Sequence, residues 1–390
     1  MGVIDQVANR RKDIVLVGGG HSHIQVLRNF ATKPPPHSRL TLIVDTPMAV
    51  YSGMVPGLIA GHYRKEELEI DVKSLAEKAQ SRVVVARAVS IDSQCQRIFM
   101  ENQTSIRYDL ASFNIGSTVL QSDIPGVREH AIATRPIGRF VHQIERIIEQ
   151  AKMHNSPSPF QVVVVGGGIG GVEVAFTLQQ RLQQEVSTLI QVMLLERGPH
   201  ILDGYPESLI HRVHRKSEKR GLKICCKRRV VTVRHDQVEL DDGECISCQA
   251  VLWVTGAACW PIFRESGLPT DLQGFVRVGS TLQVEGYDNL FAVGDCSTLV
   301  DYPQTPKAGV YAVRQGPLIT NNIRAAVMGR PLRCYSPQTD FLALLNMGDG
   351  TALGTKWGRS AEGHWVMKLK NYIDQRFVRR FQSEGNFHRT

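Results

Sequence analysis

Two stretches far apart in the chain repeat one pattern, and that repetition constrains the fold more than any other feature. Residues 14–45 read as an apolar run "IVLVGGG", a segment "HIQVLRNFA" and a second apolar run "RLTLIVD". Residues 161–196 repeat this as "QVVVVGGGIGGVEVAFTLQQ" followed by "LIQVMLLE". Continuously apolar runs are what parallel strands buried on both faces require, and a glycine turn leading into a helix is how such strands are linked. In the second copy Gly166, Gly168 and Gly171 spell G-x-G-x-x-G. The first glycine of that fingerprint permits a tight turn, and the second lets backbone approach a pyrophosphate. The third lets the helix pack closely on the strand, with its N-terminus facing the phosphates. Each unit closes on an acid, Asp45 and Glu196, placed to bond a ribose hydroxyl.

The first copy has Gly18 and Gly20 but carries His23 in third place. That position serves packing more than ligand contact. His23 is therefore expected to hold the helix slightly off the strand or to point away from it. His21 and Ser22, at the helix start, offer backbone N–H groups and a hydroxyl to phosphate. One such fingerprint alone is a weak signal; two, each with strand, helix and terminal acid, predict an α/β chain with two Rossmann-like domains.

The 390 residues suit two or three domains. No apolar run reaches the roughly 18 to 20 residues of a membrane span, and "MGVIDQVANRRKD" shows no secretory pattern. Eight irregularly spaced cysteines fit reduced thiols in a cytoplasmic setting. The net charge of +9 concentrates between His211 and Arg234, where ten Lys or Arg face one acid, Glu218. A solvated basic helix and strand is the plain reading, and an anionic surface the sharper one. Nucleic acid is not expected as a partner, since no recognised binding module accompanies the patch.

Further segments carry a resemblance. "YDLASFNIGS" (108–117), with Gly116, and "AVLWVTGA" (250–257), with Gly256, look like the exits from the two domains of the pyridine nucleotide–disulfide oxidoreductase superfamily. "LFAVGDC" (290–296) resembles its strand ending in Gly294 and Asp295, and "PKAGVYAVRQG" (306–316) its flavin-facing helix. "YSGMVPGLIAGHY" (51–63) is similar to the flavoprotein domain fused to some selenide-water dikinases, supported by "IDVKSLA" (70–76) and "LKNYIDQRFVRRF" (369–381). The free-standing relatives of that domain resemble type II NAD(P)H dehydrogenases. No kinase portion is present, so selenophosphate synthesis is not expected.

The resemblance implies a discontinuous FAD domain (1–125 and 275–330), an NAD(P)H domain (126–274) and a C-terminal segment (331–390). FAD would be held by Gly18, Gly20, His21, Ser22, Asp45, Val89, Gly116, Gly294 and Asp295, the last on the ribityl chain. NAD(P)H, preferentially NADH, would be held by Gly166, Gly168, Gly171, Glu196 and Gly256. Glu173, near the nicotinamide and flavin edge, and Lys307 are the catalytic candidates; no metal is implied. Hydride would pass from NAD(P)H to FAD and electrons on to a quinone. An exposed helix-face carboxylate is the plain alternative for Glu173. A reductase serving selenium or sulfur metabolism, or a non-catalytic nucleotide-binding flavoprotein, are the alternative functions.

There are departures from the family. The quinone-reducing dehydrogenases carry a glutamine-bearing element near the flavin, where this chain has Gly309, Val310 and Arg314. "PKAG" is closer to sulfide:quinone oxidoreductases, yet residues 96–224 hold no cysteine, which argues against sulfide oxidation by the family's route. "CISC" (245–248) precedes a strand, where positions i and i+3 face apart, so neither a disulfide nor a zinc site with Cys225 and Cys226 is favoured. In "HWVMKLKNYIDQRFVRRF" (364–381), Trp365, Leu369, Tyr372, Ile373, Phe377 and Phe381 recur at helical spacing among basic residues. That helix is expected to pack on its own domain, to lie on a membrane surface on the cytoplasmic side, or to form a dimer interface.

Overall fold

The computed structural model describes residues 10–120 and 123–382. In the first unit β1 (Lys12–Val17), β2 (Ser38–Val44), β3 (Arg82–Val85) and β4 (Leu110–Phe113) run parallel. A fifth parallel strand, Leu290–Ala292, arrives from far along the chain and pairs with β4. The order is Leu290–Ala292, β4, β1, β2, β3, so β1 is paired on both edges and Ile14 through Val17 are buried. Helix α1 (His21–Thr32) follows β1 and stops before Pro34–Pro36, where proline removes the donors a helix needs.

The second unit repeats the plan. Strands β5 (Ala131–Ala133), β6 (Phe160–Val165), β7 (Ile190–Glu196), β8 (Lys223–Cys226) and β9 (Ala250–Trp253) form a parallel sheet in the order β5, β9, β6, β7, β8. Helix α2 (Ile169–Glu185) follows the complete fingerprint and α3 (Glu207–Arg220) follows β7. The units are joined where Thr118–Val119 pairs with Ala257–Ala258. The chain is back on the first unit before residue 275. The turn Ile262–Glu265 packs on Ala88–Asp92, and the Ser266 hydroxyl accepts the Ile91 N–H at 2.8 Å. Asp271 and Ser266 thus have hydrogen-bond partners in segments of the first unit.

Helix α4 (Gly309–Val327) lies along α1. Beyond it, β10 (Ala343–Asn346), β11 (Ala352–Lys356) and β12 (Arg359–Gly363) make an antiparallel sheet, and α5 (His364–Arg379) packs across it. This segment absorbs much of the basic patch. Arg212, Arg215 and Lys216 converge on Glu362, and Lys216 also meets Asp349 at 2.9 Å. Arg228 pairs with Asp242 and Glu244, and Arg234 with Glu239.

Helix α5 does not present the single aromatic face its spacing suggested. Val366, Met367, Lys370, Asp374, Phe377 and Val378 turn inward, together with Phe381. Trp365, Leu369, Tyr372 and Ile373 point outward, Tyr372 being 61 % exposed. Phe377 and Phe381 are thus core residues.

Candidate active site

The two glycine loops lie at the carboxyl ends of their sheets, where a parallel α/β sheet binds ligands. In the second unit the structural reason for each glycine is legible. Gly166 has φ +115°, and a Cβ there would lie 2.4 Å from the Val254 carbonyl. At Gly171 a Cβ would sit 1.8 Å from the Gly166 carbonyl, whereas at Gly168 it would meet nothing within 4 Å. The middle glycine leaves an open face for a phosphate while its neighbours close the turn. Glu196 ends β7 with its carboxylate folded back onto the loop, accepting the Gly167 N–H at 2.6 Å and the Gly198 N–H at 2.7 Å. A carboxylate accepts about four hydrogen bonds, so capacity remains for a ribose hydroxyl. Arg197 beside it is exposed, and Gly256 follows β9 at the same end of the sheet.

In the first unit His23 does not point away from the strand. Its ring is fully buried in the helix–strand seam, Nδ1 2.7 Å from the Gly18 carbonyl and Nε2 2.9 Å from the Ser112 hydroxyl. A carbonyl can only accept, so Nδ1 carries the proton and Nε2 accepts from Ser112. Burial lowers the imidazole to about 4, which keeps it in this neutral form.

Ser22 is also reassigned. Its hydroxyl donates to the Ala312 carbonyl at 2.6 Å, and its N–H, with that of His23, goes to Asn114 Oδ1 at 3.0 and 3.2 Å. Asn114 caps α1 from outside and donates from Nδ2 to the Val293 carbonyl, so the Ser22 hydroxyl is spent on packing rather than turned to phosphate. A Cβ at Gly20 would meet Asn114 Oδ1 at 2.4 Å, which explains that glycine.

Asp45 follows β2 and is exposed, and Val89 is half-buried in the strand Ala88–Asp92. Gly116, at φ +65°, again leaves open space where a Cβ would project. Gly294 opens a short turn carrying Asp295, whose carboxylate meets Arg135 Nη1 at 3.0 Å. Arg135 comes from the second unit, and its buried Nη1 makes this ion pair without a well-aligned hydrogen bond. The glycine cradle, the open faces and this guanidinium suit a flavin dinucleotide with its phosphates. Lys307 lies beside this turn. Its ammonium donates to the Ser297 carbonyl and Thr298 hydroxyl and lies 4.2 Å from the Phe275 ring centre, so it braces the floor beside Asp295.

The other end of the chamber is built by three parts of the chain. Gly309, at the start of α4, is placed near Ser52 and His21. His21 packs edge-on to Tyr51 at 5.3 Å, and Tyr51 stacks on Phe377 of α5 at 4.8 Å. Burial lowers the His21 imidazole despite the nearby Asp295. The Tyr51 hydroxyl donates to Asp374 at 3.2 Å, and Asp374 pairs with Lys370 at 3.1 Å. Lys370 also donates to the Gly53 carbonyl at 2.9 Å and stands 4.0 Å from Glu173. Glu173, in the second turn of α2, is no exposed helix-face carboxylate: it is 9 % exposed and accepts the Asn346 N–H at 2.8 Å. Burial raises its carboxyl to about 7 against the pull of Lys370 and that N–H, with Asp374 adding to the rise. Asn114, Arg135, Lys370 and Asp374 are the site residues that sequence reasoning missed.

The fold and these paired cradles define a class. The family model for pyridine nucleotide-disulphide oxidoreductases matches residues 12–316, and the chain belongs to that family as an NAD(P)H oxidoreductase. The chain is 26% identical over 364 residues to the NADH dehydrogenase-like protein YutJ of Bacillus subtilis, covering 92% of this chain and 97% of that one. It is 28% identical over 281 residues to the demethylphylloquinone reductase NdbB of Synechocystis, covering 68% of each. The solved sulfide:quinone oxidoreductase of Aquifex aeolicus shares the fold, with a TM-score of 0.79 at 17% identity over 95% of this chain and 91% of that one.

Proposed function

We propose that the chain is an FAD-dependent NAD(P)H dehydrogenase that prefers NADH and reduces a quinone at a membrane surface. Overall, NADH, one proton and a quinone yield NAD⁺ and a quinol, two electrons moving from nicotinamide to quinone. Bound flavin supplies the redox chemistry between them. The chain's own work is to hold the two dinucleotides on the glycine loops, with Asp295 and Arg135 toward the flavin and Glu196 toward the nicotinamide nucleotide. Glu173 then supplies the proton to the reduced acceptor.

The observation that carries this reading is Glu173 itself. A buried carboxyl raised to about 7, at the meeting of both units and α5, suits a general acid working near neutral pH. The relatives support the acceptor class, since two of them bear names that pair this fold with quinones. The outward face of α5 supports the membrane, its aromatic and aliphatic side chains flanked by exposed Lys368, Arg376 and Arg380. No helix among the described residues is long and apolar enough to cross a bilayer, so contact would be at the surface. Cys296 is buried with its thiol pushed up to about 11 by desolvation, which suits neither nucleophile nor redox partner.

Anaerobic stopped-flow mixing with NADH, followed by a panel of quinones, ferricyanide, and selenium and sulfur compounds, tests the proposal. Rapid flavin bleaching with quinone-dependent reoxidation is expected. No bleaching by either nicotinamide nucleotide, or reoxidation by selenium or sulfur compounds alone, would overturn it.

A further inference from the structure

The reading of Glu173 as proton donor leaves a question of charge. Lys370 is a single ammonium between two carboxyls, Glu173 and Asp374, and all three are about a tenth exposed or less. If every group ionised, the cluster would hold one uncompensated negative charge out of water. A buried charge without a partner is costly enough that one carboxyl keeps a proton instead. Which one keeps it decides whether the proton is stored on α2, within the second unit, or on α5.

We propose that Asp374 is a positioning residue for this reaction: it claims the Lys370 ammonium for itself and so leaves Glu173 as the carboxyl that carries the transferable proton. The inference rests on the proposed role of Glu173 and adds the device that sets it. The distances make the argument. The ammonium has three N–H groups; two reach partners at hydrogen-bond length, Gly53 at 2.9 Å and Asp374 Oδ2 at 3.1 Å. Glu173, at 4.0 Å, lies beyond that length. The other Asp374 oxygen takes the Tyr51 O–H, so Asp374 is supported by two donors and one full charge. Glu173 receives one backbone N–H, from Asn346, and a cation held away from it.

The approach depends on Gly53. A Cβ there would meet the Tyr51 ring at 2.8 Å and Asp374 Oδ1 at 3.0 Å, so a side chain would push apart the groups that fix the ammonium. Lys370 and Asp374 are the charged groups facing Glu173. Tyr205, and beyond Asp374 the phenols Tyr51 and Tyr63, are the other titratable neighbours. Burial raises all three phenols, so they stay neutral through the working range.

Two substitutions on the same helix should then act in opposite directions. The rate of acceptor reduction should fall as pH rises through the titration of Glu173. Asp374→Asn keeps the shape but removes one negative charge, so Lys370 serves Glu173 alone and the falling limb moves to lower pH by about one unit or more. Lys370→Gln removes the cation, and the limb moves to higher pH. Asp374→Glu should restore the limb toward its original place. Tyr51→Phe keeps the ring on Phe377 but removes one support of the Asp374 charge; it should shift the limb the same way as Asp374→Asn, by less, and carries the test if Asp374→Asn does not fold.

The experiment is quinone reduction by the FAD-loaded protein across pH, paired with an infrared titration of the protonated carboxyl band that Glu173→Gln removes. Opposite shifts in both readouts are expected. If Glu173→Gln abolishes the limb and the band but neither Asp374→Asn nor Tyr51→Phe moves them, the positioning role is overturned while the proposed function stands. If the limb and band survive Glu173→Gln, the reading of Glu173 itself fails.

Discussion

Restoring the consensus glycine at position 23 should weaken this protein, although it would complete the first fingerprint. In His23→Gly the Gly18 carbonyl and Ser112 hydroxyl lose their buried partners. Each unsatisfied group costs about 1–3 kcal/mol, and glycine inside a helix adds about 1 kcal/mol. Together the loss is about 3–7 kcal/mol, which for units of this size lowers the melting temperature by roughly 10 °C or more. The pH dependence sharpens the test. The folded imidazole sits at about 4 against 6.5 for the free side chain, so between those values the unfolded chain binds a proton that the folded one refuses. The stability contributed by neutral His23 is therefore present above pH 6.5 and lost as pH falls toward 4, a loss of about 3 kcal/mol. Thermal unfolding of the two proteins, followed by circular dichroism near pH 7 and near pH 4, should show a wide gap that narrows on acidification. A glycine variant as stable as the parent at pH 7, or a gap indifferent to acid, would refute the role assigned to this ring.

Arg135→Ala should weaken FAD retention by tenfold or more in gel filtration, because a guanidinium from the second unit no longer reaches the Asp295 end of the cradle; unchanged retention would make it a structural ion pair only. Glu196→Ser should raise the KM for both nicotinamide nucleotides, since two loop N–H groups lose their acceptor, and should also narrow the preference for NADH; a rise for neither nucleotide would remove Glu196 from the site. Trp365→Ser with Tyr372→Ser should reduce sedimentation with anionic liposomes at unchanged flavin content. Deleting residues 364–390 is the less informative experiment, because it removes Lys370, Asp374 and Phe377 and should impair even ferricyanide reduction.

The two glycine turns, the parallel sheets and the acids at the ends of β2 and β7 were legible because each rests on local pattern: strand periodicity, a turn that demands glycine, a position at a strand end. What stayed hidden rests on contacts between distant segments. Asn114 follows the last residue of β4 inside a stretch read only as a domain exit, and nothing local shows that its amide caps α1. Arg135 belongs to one unit and serves the other. Lys370 and Asp374 did leave a trace: four residues apart, they share a helical stripe with Val366, Met367, Phe377 and Val378. The aromatic residues draw the apolar face around the wrong side and leave Lys370 among the flanking basic residues, with nothing local to single out Asp374. At His23 the replaced packing glycine predicts a helix held off the strand, but not that the ring's two nitrogens fill the gap with hydrogen bonds.

The edge strand Leu290–Ala292 has a consequence for how the chain is made. As the polypeptide emerges in order, the first sheet must wait with β4 as an open edge until almost three-quarters of the chain has been synthesised. The second sheet draws all five strands from residues 131–253 and can close while the first is still incomplete. Contacts separated by so much sequence are slow to form, and an unfinished parallel edge is exposed to mispairing during that interval. The second unit is thus the natural template of folding, and the cleft that needs Asp295 and the start of α4 is the last piece to be completed.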